Sequence, residues 1–333
     1  MPAEWTRHER TFMSWPVQES MVYPDDHQCV CEGYAQVVRA IAEFEPVSVL
    51  VNEDDLALAK RHLDEPNIEL IPIAHSDAWL RDNGPTFLVG PNGELAGVNW
   101  KFNAWGGKYA PWDLDDEVAP QILERVGVRR FDAPVVMEGG SIHVDGEGTL
   151  LTTEECLLNV NRNPELSRNQ IEEILKQYVN VEKIIWLNRG LAGDETDGHV
   201  DNVACFAAPG KVIIQTCNDP SDENYEISQE NLRILREAVD AKGRKLEIVE
   251  LPQPPKAMFE ESRLTLSYLN FYFVNDGIIL PVFGGAAEAT DREAARILAE
   301  TFPDRRIRTV DGMAIIKEGG NVHCTTQQMP ARG

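Results

Sequence analysis

Six cysteines, at positions 29, 31, 156, 205, 217 and 324, and seven histidines make up the chain's stock of soft nucleophiles and proton carriers. One of each falls among residues suited to a shared task. Cys324 ends Gly319-Gly-Asn-Val-His-Cys324, and His199 and Asp201 lie in Gly198-His-Val-Asp201. Glu138 opens Glu138-Gly-Gly140, Asp82 follows Trp79-Leu-Arg, and Asn270 follows Tyr268-Leu. A thiol, an imidazole, an amide and three carboxylates suit a guanidinium, a planar cation whose five donors form a fixed fork best met by bidentate acids. Asp82 and Asp201 would hold it from its two ends and fix its carbon before Cys324, whose ionisation the bound cation favours. His199 would protonate departing ammonia and then take a proton from water, with Glu138 keeping the imidazole oriented and charged.

Taken singly, each residue has a plainer reading. A cysteine is more often a small buried apolar residue, which suits Cys205 and Cys217 inside expected strands, and Asp82 beside Arg81 reads as a surface ion pair. His199 and Asp201 are two apart, so on an extended segment both side chains share one face. Zinc hydrolysis draws on the same residue types. The chain, however, has no His-x-x-x-His or Cys-x-x-Cys couple, Cys29-x-Cys31 has the wrong spacing for a zinc knuckle, and acids outnumber nitrogen and sulfur ligands. Neither a metal nor another cofactor is expected, and no glycine-rich phosphate loop is found.

Bringing residues so far apart to one place requires a repeating scaffold. A strand-like run at 47–51 comes first, and further runs at 68–73, 134–137, 183–187, 246–251 and 307–310 follow helical patterns near 54–63, 115–126, 166–178, 224–241 and 291–302. After the strands come polar stretches and hairpins at 86–98, 141–151, 202–214 and 270–280, turned on Asn-Gly, Asp-Gly and Pro-Gly pairs. A fifth copy begins at Asn321 without its second strand, and Thr11-Phe-Met-Ser-Trp15 is an orphan strand at the other end. Glu138-Gly-Gly-Ser-Ile-His143 and Glu318-Gly-Gly-Asn-Val-His323 occupy corresponding points of units two and five. The pattern predicts one α/β domain over 1–333 with five helix–strand–hairpin units arranged radially, the N-terminal strand completing the last. A doubly wound parallel sheet would not need so many hairpins. The residues just before each hairpin then line one axial cavity.

The 333 residues are 43% hydrophobic and 26% charged, an ordinary globular composition. With 31 Lys+Arg against 55 Asp+Glu the formal charge is −24, a field that repels nucleic acid and anionic membranes and favours cationic ligands, or simply keeps the protein soluble. No apolar run reaches the ~18 residues of a membrane span, the N-terminus lacks signal-peptide features, and the cysteines form no disulfide pattern. A reduced, cytoplasmic protein is expected; the sequence fixes no subunit number and is compatible with a homo-oligomer.

At these residues the chain resembles the agmatine deiminases of the guanidino-group modifying (pentein) superfamily, which also holds arginine and bacterial peptidylarginine deiminases. The resemblance runs through Pro2-Ala-Glu-Trp5, Trp79-Leu-Arg-Asp-Asn-Gly-Pro85, Lys101-Phe-Asn-Ala-Trp-Gly-Gly107, the long string from Glu138 to Asn159, Asn161-Arg-Asn-Pro164, Asp197-Gly-His-Val-Asp-Asn202, Ser267-Tyr-Leu-Asn-Phe-Tyr272 and Gly319 to Gln328. It implies a five-bladed α/β propeller, hydrolysis of agmatine to N-carbamoylputrescine and ammonia without a cofactor, a covalent amidino-thioether on Cys324, His199 as acid and base, Asp82 and Asp201 on the guanidinium, and Glu138 beside His199. Trp79, Trp105, Asn270, Asp197 and Gly320 join as substrate-binding candidates. Glu318 and Met329 depart from the family's usual glycine and glutamine, a change expected to touch only packing near the C-terminus. For agmatine's distal ammonium the acidic and aromatic candidates are Asp194 to Asp197, Trp105 and Trp112, by charge and cation–π attraction; otherwise these tryptophans are core and these acids solvated. A site for free arginine would want a basic residue for its carboxylate, a peptidylarginine deiminase an open cleft, and a non-catalytic propeller scaffold would have no use for the reacting set.

Overall fold

The computed structural model describes residues 1–332. Its main sheets repeat one pattern: an antiparallel hairpin, then a helix, then a strand that returns parallel to the hairpin's second strand. Thr86–Val89 and Leu95–Lys101 pair antiparallel, and Arg129–Val136 joins parallel. The same holds for His143–Val144, Thr149–Thr153 and Lys183–Leu187; for Ala204–Ala208, Lys211–Thr216 and Glu247–Pro252; and for Tyr272–Val274, Gly277–Val282 and Arg306–Asp311. The remaining sheet joins the chain's two ends. Thr326–Pro330 pairs antiparallel with His8–Ser14, which runs parallel to Val47–Val51, and Ile68–Pro72 adds a further parallel strand. The orphan N-terminal strand thus completes the C-terminal hairpin.

Each returning strand pairs with the hairpin before it in sequence, so every crossover carries a helix, as parallel pairing demands. Arg168–Val179 illustrates the local causes. Ser167 and Gln170 form a reciprocal capping box at its start, Ile171, Leu175 and Val179 bury one face, and Asn180 ends it in a left-handed turn. Apolar clusters fill the space between these helices and their sheets; one of them packs Leu150, Ile171, Leu175, Val179 and Trp186.

Two sequence readings are corrected. The 16-residue helix His27–Ala42 was not anticipated, although Val30, Tyr34, Val37, Val38 and Ile41 recur at helical spacing and are buried along one face. The strand expected at 134–137 spans Arg129–Val136, because pairing with 95–101 enlists exposed Arg129 and Arg130 against their composition. No helix among the described residues is long and apolar enough to cross a membrane.

Candidate active site

The short segments that precede the hairpins converge. Asp82 lies in the one-turn helix Leu80–Asn83, Glu138 just before the turn Gly139–Ser141, Asp201 in the turn Val200–Asn202, and Cys324 just before Thr326–Pro330. All four are buried, as are His199 and Asn270. Gly140 marks the focus. A Cβ added there would stand 2.6 Å from His199 Nδ1 and 2.9 Å from both Asp201 Oδ2 and Asp82 Oδ1. Only glycine leaves that point free, and its own N–H donates to Asp82 Oδ1 at 3.0 Å.

The thiol adjoins the same point. Cys324 Sγ is 3.5 Å from Asp201 Oδ2 and accepts from Asn270 Nδ2 at 3.1 Å. Asn270 Oδ1 in turn accepts the backbone N–H of His323, so the amide fixes the loop that carries the sulfur. Trp105 Nε1 donates to Asp82 Oδ2 at 2.9 Å, which requires a left-handed backbone at Ala104, Trp105 and Gly106; two non-glycine residues held there are strain spent on aiming one indole. His199 follows another left-handed pair, Asp197 and Gly198, and Asp201 sits in a 3-10 turn. The expectation of an extended 199–201 segment is therefore wrong, although both side chains still reach one place.

His199 is fully buried and neither ring nitrogen has a hydrogen-bond partner. Asp82 Oδ1 stands 3.7 Å from Nδ1 and Glu138 Oε2 stands 3.6 Å from Nε2. Burial alone would lower its pKa, but Asp82 and the other neighbours raise it well above the ordinary value, which makes it an imidazolium. Burial pushes Asp82 up to about 6, the Asp201 and Glu138 charges adding to the rise and His199 opposing it. For Glu138, burial is outweighed by His199 and Arg162, whose Nε donates at 2.7 Å, and its pKa falls. Asp201 is likewise lowered against burial, chiefly by His323. Burial, then the charges of Asp201 and Asp82, raises the Cys324 thiol well above its usual value, so the nucleophile rests as a thiol.

Behind the focus lies a relay that sequence reading missed. His323 Nδ1 is 2.9 Å from Asp201 Oδ2, and its Nε2 is 3.0 Å from Glu4 Oε1. Glu4 also meets Arg81 at 3.3 Å and His143 at 3.5 Å. Arg81 is accordingly no surface partner of Asp82. The repeated Glu-Gly-Gly hexapeptides end in His143 and His323, and both histidines face this one carboxylate; the repeat itself was the signal. Burial would raise the pKa of Glu4, but His323 and Arg81 hold it well below 4.5. Its stabilisation is thus present above the unfolded value of 4.5 and lost as the pH falls towards the depressed folded value. Glu4→Gln leaves buried cations unmatched and is expected to cost about 3–5 kcal/mol in urea denaturation at pH 7, a deficit that narrows in acid.

A cavity with an empty volume of about 660 Å³, partly open to solvent, ends at Cys324 and Asp82. Trp79, Trp105, Tyr34 and Tyr109 form walls, Gly319 and Gly320 let the backbone pass close, and Asp77, Glu195 and Glu318 add further acids. Trp79, Trp105 and Gly320 therefore stand where expected. Asp197 does not line the cavity: Lys108, Asn161 and Arg162 take its carboxylate. Asn270 and Trp112 are also outside the lining, and Trp112 packs half-buried on the core. Glu318, expected to affect only local packing, lines the same cavity as Cys324.

Comparison with known proteins gives the chain's relatives. An agmatine deiminase of Stutzerimonas stutzeri is 47% identical over 354 aligned positions, covering 99% of this chain and 95% of the relative. A solved structure described as the agmatine deiminase of Enterococcus faecalis catalyzing its reaction superposes with a TM-score of 0.94 at 40% identity, covering 100% of this chain and 96% of that one. A dimethylarginine dimethylaminohydrolase from Pseudomonas aeruginosa, at 15% identity and TM-score 0.53 over 97% of this chain and all of that one, shows likeness of fold alone. These likenesses place the fold in the mixed α/β, pentein-like class. Residues 1–330 match the model of the Porphyromonas-type peptidyl-arginine deiminases, and the chain belongs to that family.

Proposed function

We propose that the chain is an agmatine deiminase, a hydrolase that converts agmatine and water to N-carbamoylputrescine and ammonia. The observation that carries this reading is the convergence of Asp82 Oδ1, Asp201 Oδ2 and His199 Nδ1 within 3 Å of one point beside the Cys324 sulfur. A guanidinium seated in front of Gly140, beyond that point, meets two carboxylates, and Asp201 Oδ1 is a buried acceptor with no protein partner. Its charge offsets the two acids that suppress thiol ionisation, so substrate binding drives the Cys324 proton into the solvent to which the cavity opens and generates the nucleophile. The Cys324 thiolate adds to the guanidinium carbon. The His199 imidazolium protonates the departing nitrogen, the C–N bond breaks, and ammonia leaves an amidino-thioether. Neutral His199 then takes a proton from water, which adds to the same carbon; collapse breaks the C–S bond, and the proton of the new hydroxyl passes to the leaving sulfur, which restores the Cys324 thiol. Glu138, anchored by Arg162, holds the imidazole in line between the two half-reactions.

Support for agmatine over arginine comes from the lining. Its acidic members are Asp77, Asp82, Glu195 and Glu318, of which Asp77 is pushed up to about 8 by burial and by Asp115 and so rests protonated, and among the described residues lining the cavity none is Lys or Arg. A second cation is favoured there and a substrate carboxylate is repelled. Glu318 Oε2 accepts the N–H of Val22 at 2.9 Å while Oε1 is buried without a partner, which leaves it free for the distal ammonium. Glu318→Gln is expected to raise KM for agmatine about tenfold, the worth of one charge-assisted hydrogen bond, and to leave n-butylguanidine, which lacks the ammonium, unchanged. Equal effects on both would assign Glu318 to packing. Side-by-side assays of agmatine, arginine and a peptidylarginine test the substrate class, and citrulline as the main product would overturn it.

The pH profile tests the clamp. Asp82 must be ionised to hold a cation, and burial places its pKa at about 6. Agmatine kcat/KM, which reports free enzyme and free substrate, is therefore expected to rise through an acid limb near pH 6; a limb near 4 would remove Asp82 from the clamp. The five repeated sheets, with the chain ends joined in one of them, support a single five-bladed propeller domain. The free state of all six cysteines supports a cytoplasmic setting.

A further inference from the structure

Among the described residues one group of histidine, cysteine and acid has metal-ligand spacing, and it includes a thiol the proposed reaction leaves idle. Cys156 sits in the one-turn helix Glu154–Leu157, its backbone N–H donating to the Thr153 hydroxyl at 3.2 Å. Its sulfur is 3.9 Å from Glu138 Oε2, the oxygen that lies 3.6 Å from His199 Nε2, and the three ligating atoms all lie within 4.8 Å of one another. Around a tetrahedral zinc, with Zn–S of about 2.3 Å and Zn–N and Zn–O of about 2.0–2.2 Å, ligand atoms stand about 3.3–3.7 Å apart. The two Glu138 separations need shifts of only a few tenths of an ångström, and the sulfur and the imidazole, within 4.8 Å of each other, close the third.

Independent features of the same cluster also point to an ion. His199 is fully buried with both ring nitrogens unpartnered. Arg162 fixes Glu138 through Oε1 alone, which aims Oε2 at the other two groups as an outer contact aims a metal ligand. Three protein ligands leave a fourth position for water. The sulfur selects a borderline or soft cation and disfavours magnesium or calcium.

We propose that Glu138 Oε2, Cys156 Sγ and His199 Nε2 form an inhibitory site for a thiophilic divalent cation, best matched by zinc, whose occupancy stops the reaction by holding the imidazole. With the metal on Nε2 the ring cannot form an imidazolium, so Nδ1, the nitrogen that faces the reacting point, keeps its one proton: it is too weak an acid for departing ammonia and has no lone pair to take a proton from water. The three groups are fully buried, so the ion enters past Asp82, which lines the cavity, and inhibition develops over a preincubation.

The test uses metal-free full-length protein incubated with zinc, with ammonia release and zinc retained on dialysis as separate readouts. Wild type is expected to bind zinc and lose activity, and to regain it with EDTA. Cys324→Ala, inactive throughout, is expected to retain the same zinc, a result that does not depend on the agmatine reading. Cys156→Ala and Cys156→Ser are expected to keep untreated turnover, hold one zinc fewer, and need at least about tenfold more zinc for half-inhibition, in line with the loss of a metal contact. Unchanged zinc sensitivity in the Cys156 variants, or loss of the zinc in Cys324→Ala, would overturn the proposal. Should neither Cys156 variant fold, crystals of Cys324→Ala soaked in zinc decide by anomalous scattering: a peak between Glu138, Cys156 and His199 supports the site, and zinc elsewhere or none overturns it.

Discussion

Cys324→Ala is expected to release no measurable ammonia from agmatine, a loss of at least about 10⁴-fold in kcat of the kind seen when a covalent nucleophile is removed. The substrate is expected to bind still, because Asp82, Asp201 and the cavity walls are untouched. Calorimetric titration of the variant should therefore report agmatine binding without turnover. The wild type, quenched during turnover, should show an amidino adduct on the peptide carrying Cys324. Cys205→Ala and Cys217→Ala serve as contrasts, since burial, with the charges of Glu4 and Asp201 adding to it, pushes the Cys205 thiol well up and Cys217 lies against Asp219 and Gln253. Ammonia release persisting in Cys324→Ala, or an adduct on another cysteine, would remove the nucleophile assignment.

The difference between Cys324 and its fellow cysteines was legible from the sequence because it rests on company rather than on local structure. Cys324 ends a string that repeats an earlier one, and the acids and histidine stand at matching points of other repeats. The repeat also predicted that the chain ends meet in one sheet, which Thr326–Pro330 and His8–Ser14 bear out. Other features carry no local trace. His323 and Glu4 are 319 residues apart, and no periodicity links an N-terminal acid to a C-terminal imidazole. Asp197 looked available for an ammonium because nothing in the sequence shows that Arg162 and Lys108 take it first. The Trp105 turn was visible only as Trp-Gly-Gly; its left-handed backbone and its bond to Asp82 depend on packing from other segments. Glu318 shows the converse case: a single acid in a glycine's place looks like a packing detail until the cavity is seen to run beside it.

His199→Gln is expected to lower kcat by about 10²–10⁴-fold, the usual range for a positioned acid–base group, with agmatine still bound. Both half-reactions need this group, so neither ammonia departure nor hydrolysis of the thioether is spared. The variant also makes a distinguishing shift in pH dependence. The His199 charge is what opposes the burial of Asp82, so removing it lets that carboxyl rise above about 6. The acid limb of kcat/KM in the residual activity should therefore move to higher pH. Glutamine fills similar space and still offers hydrogen bonds to Glu138 and Asp82, so a purely structural loss would lower activity without that displacement. A His199→Gln enzyme with undiminished kcat, or with reduced kcat and an unmoved limb, would separate the imidazole from the clamp and leave the proton-transfer role to another group.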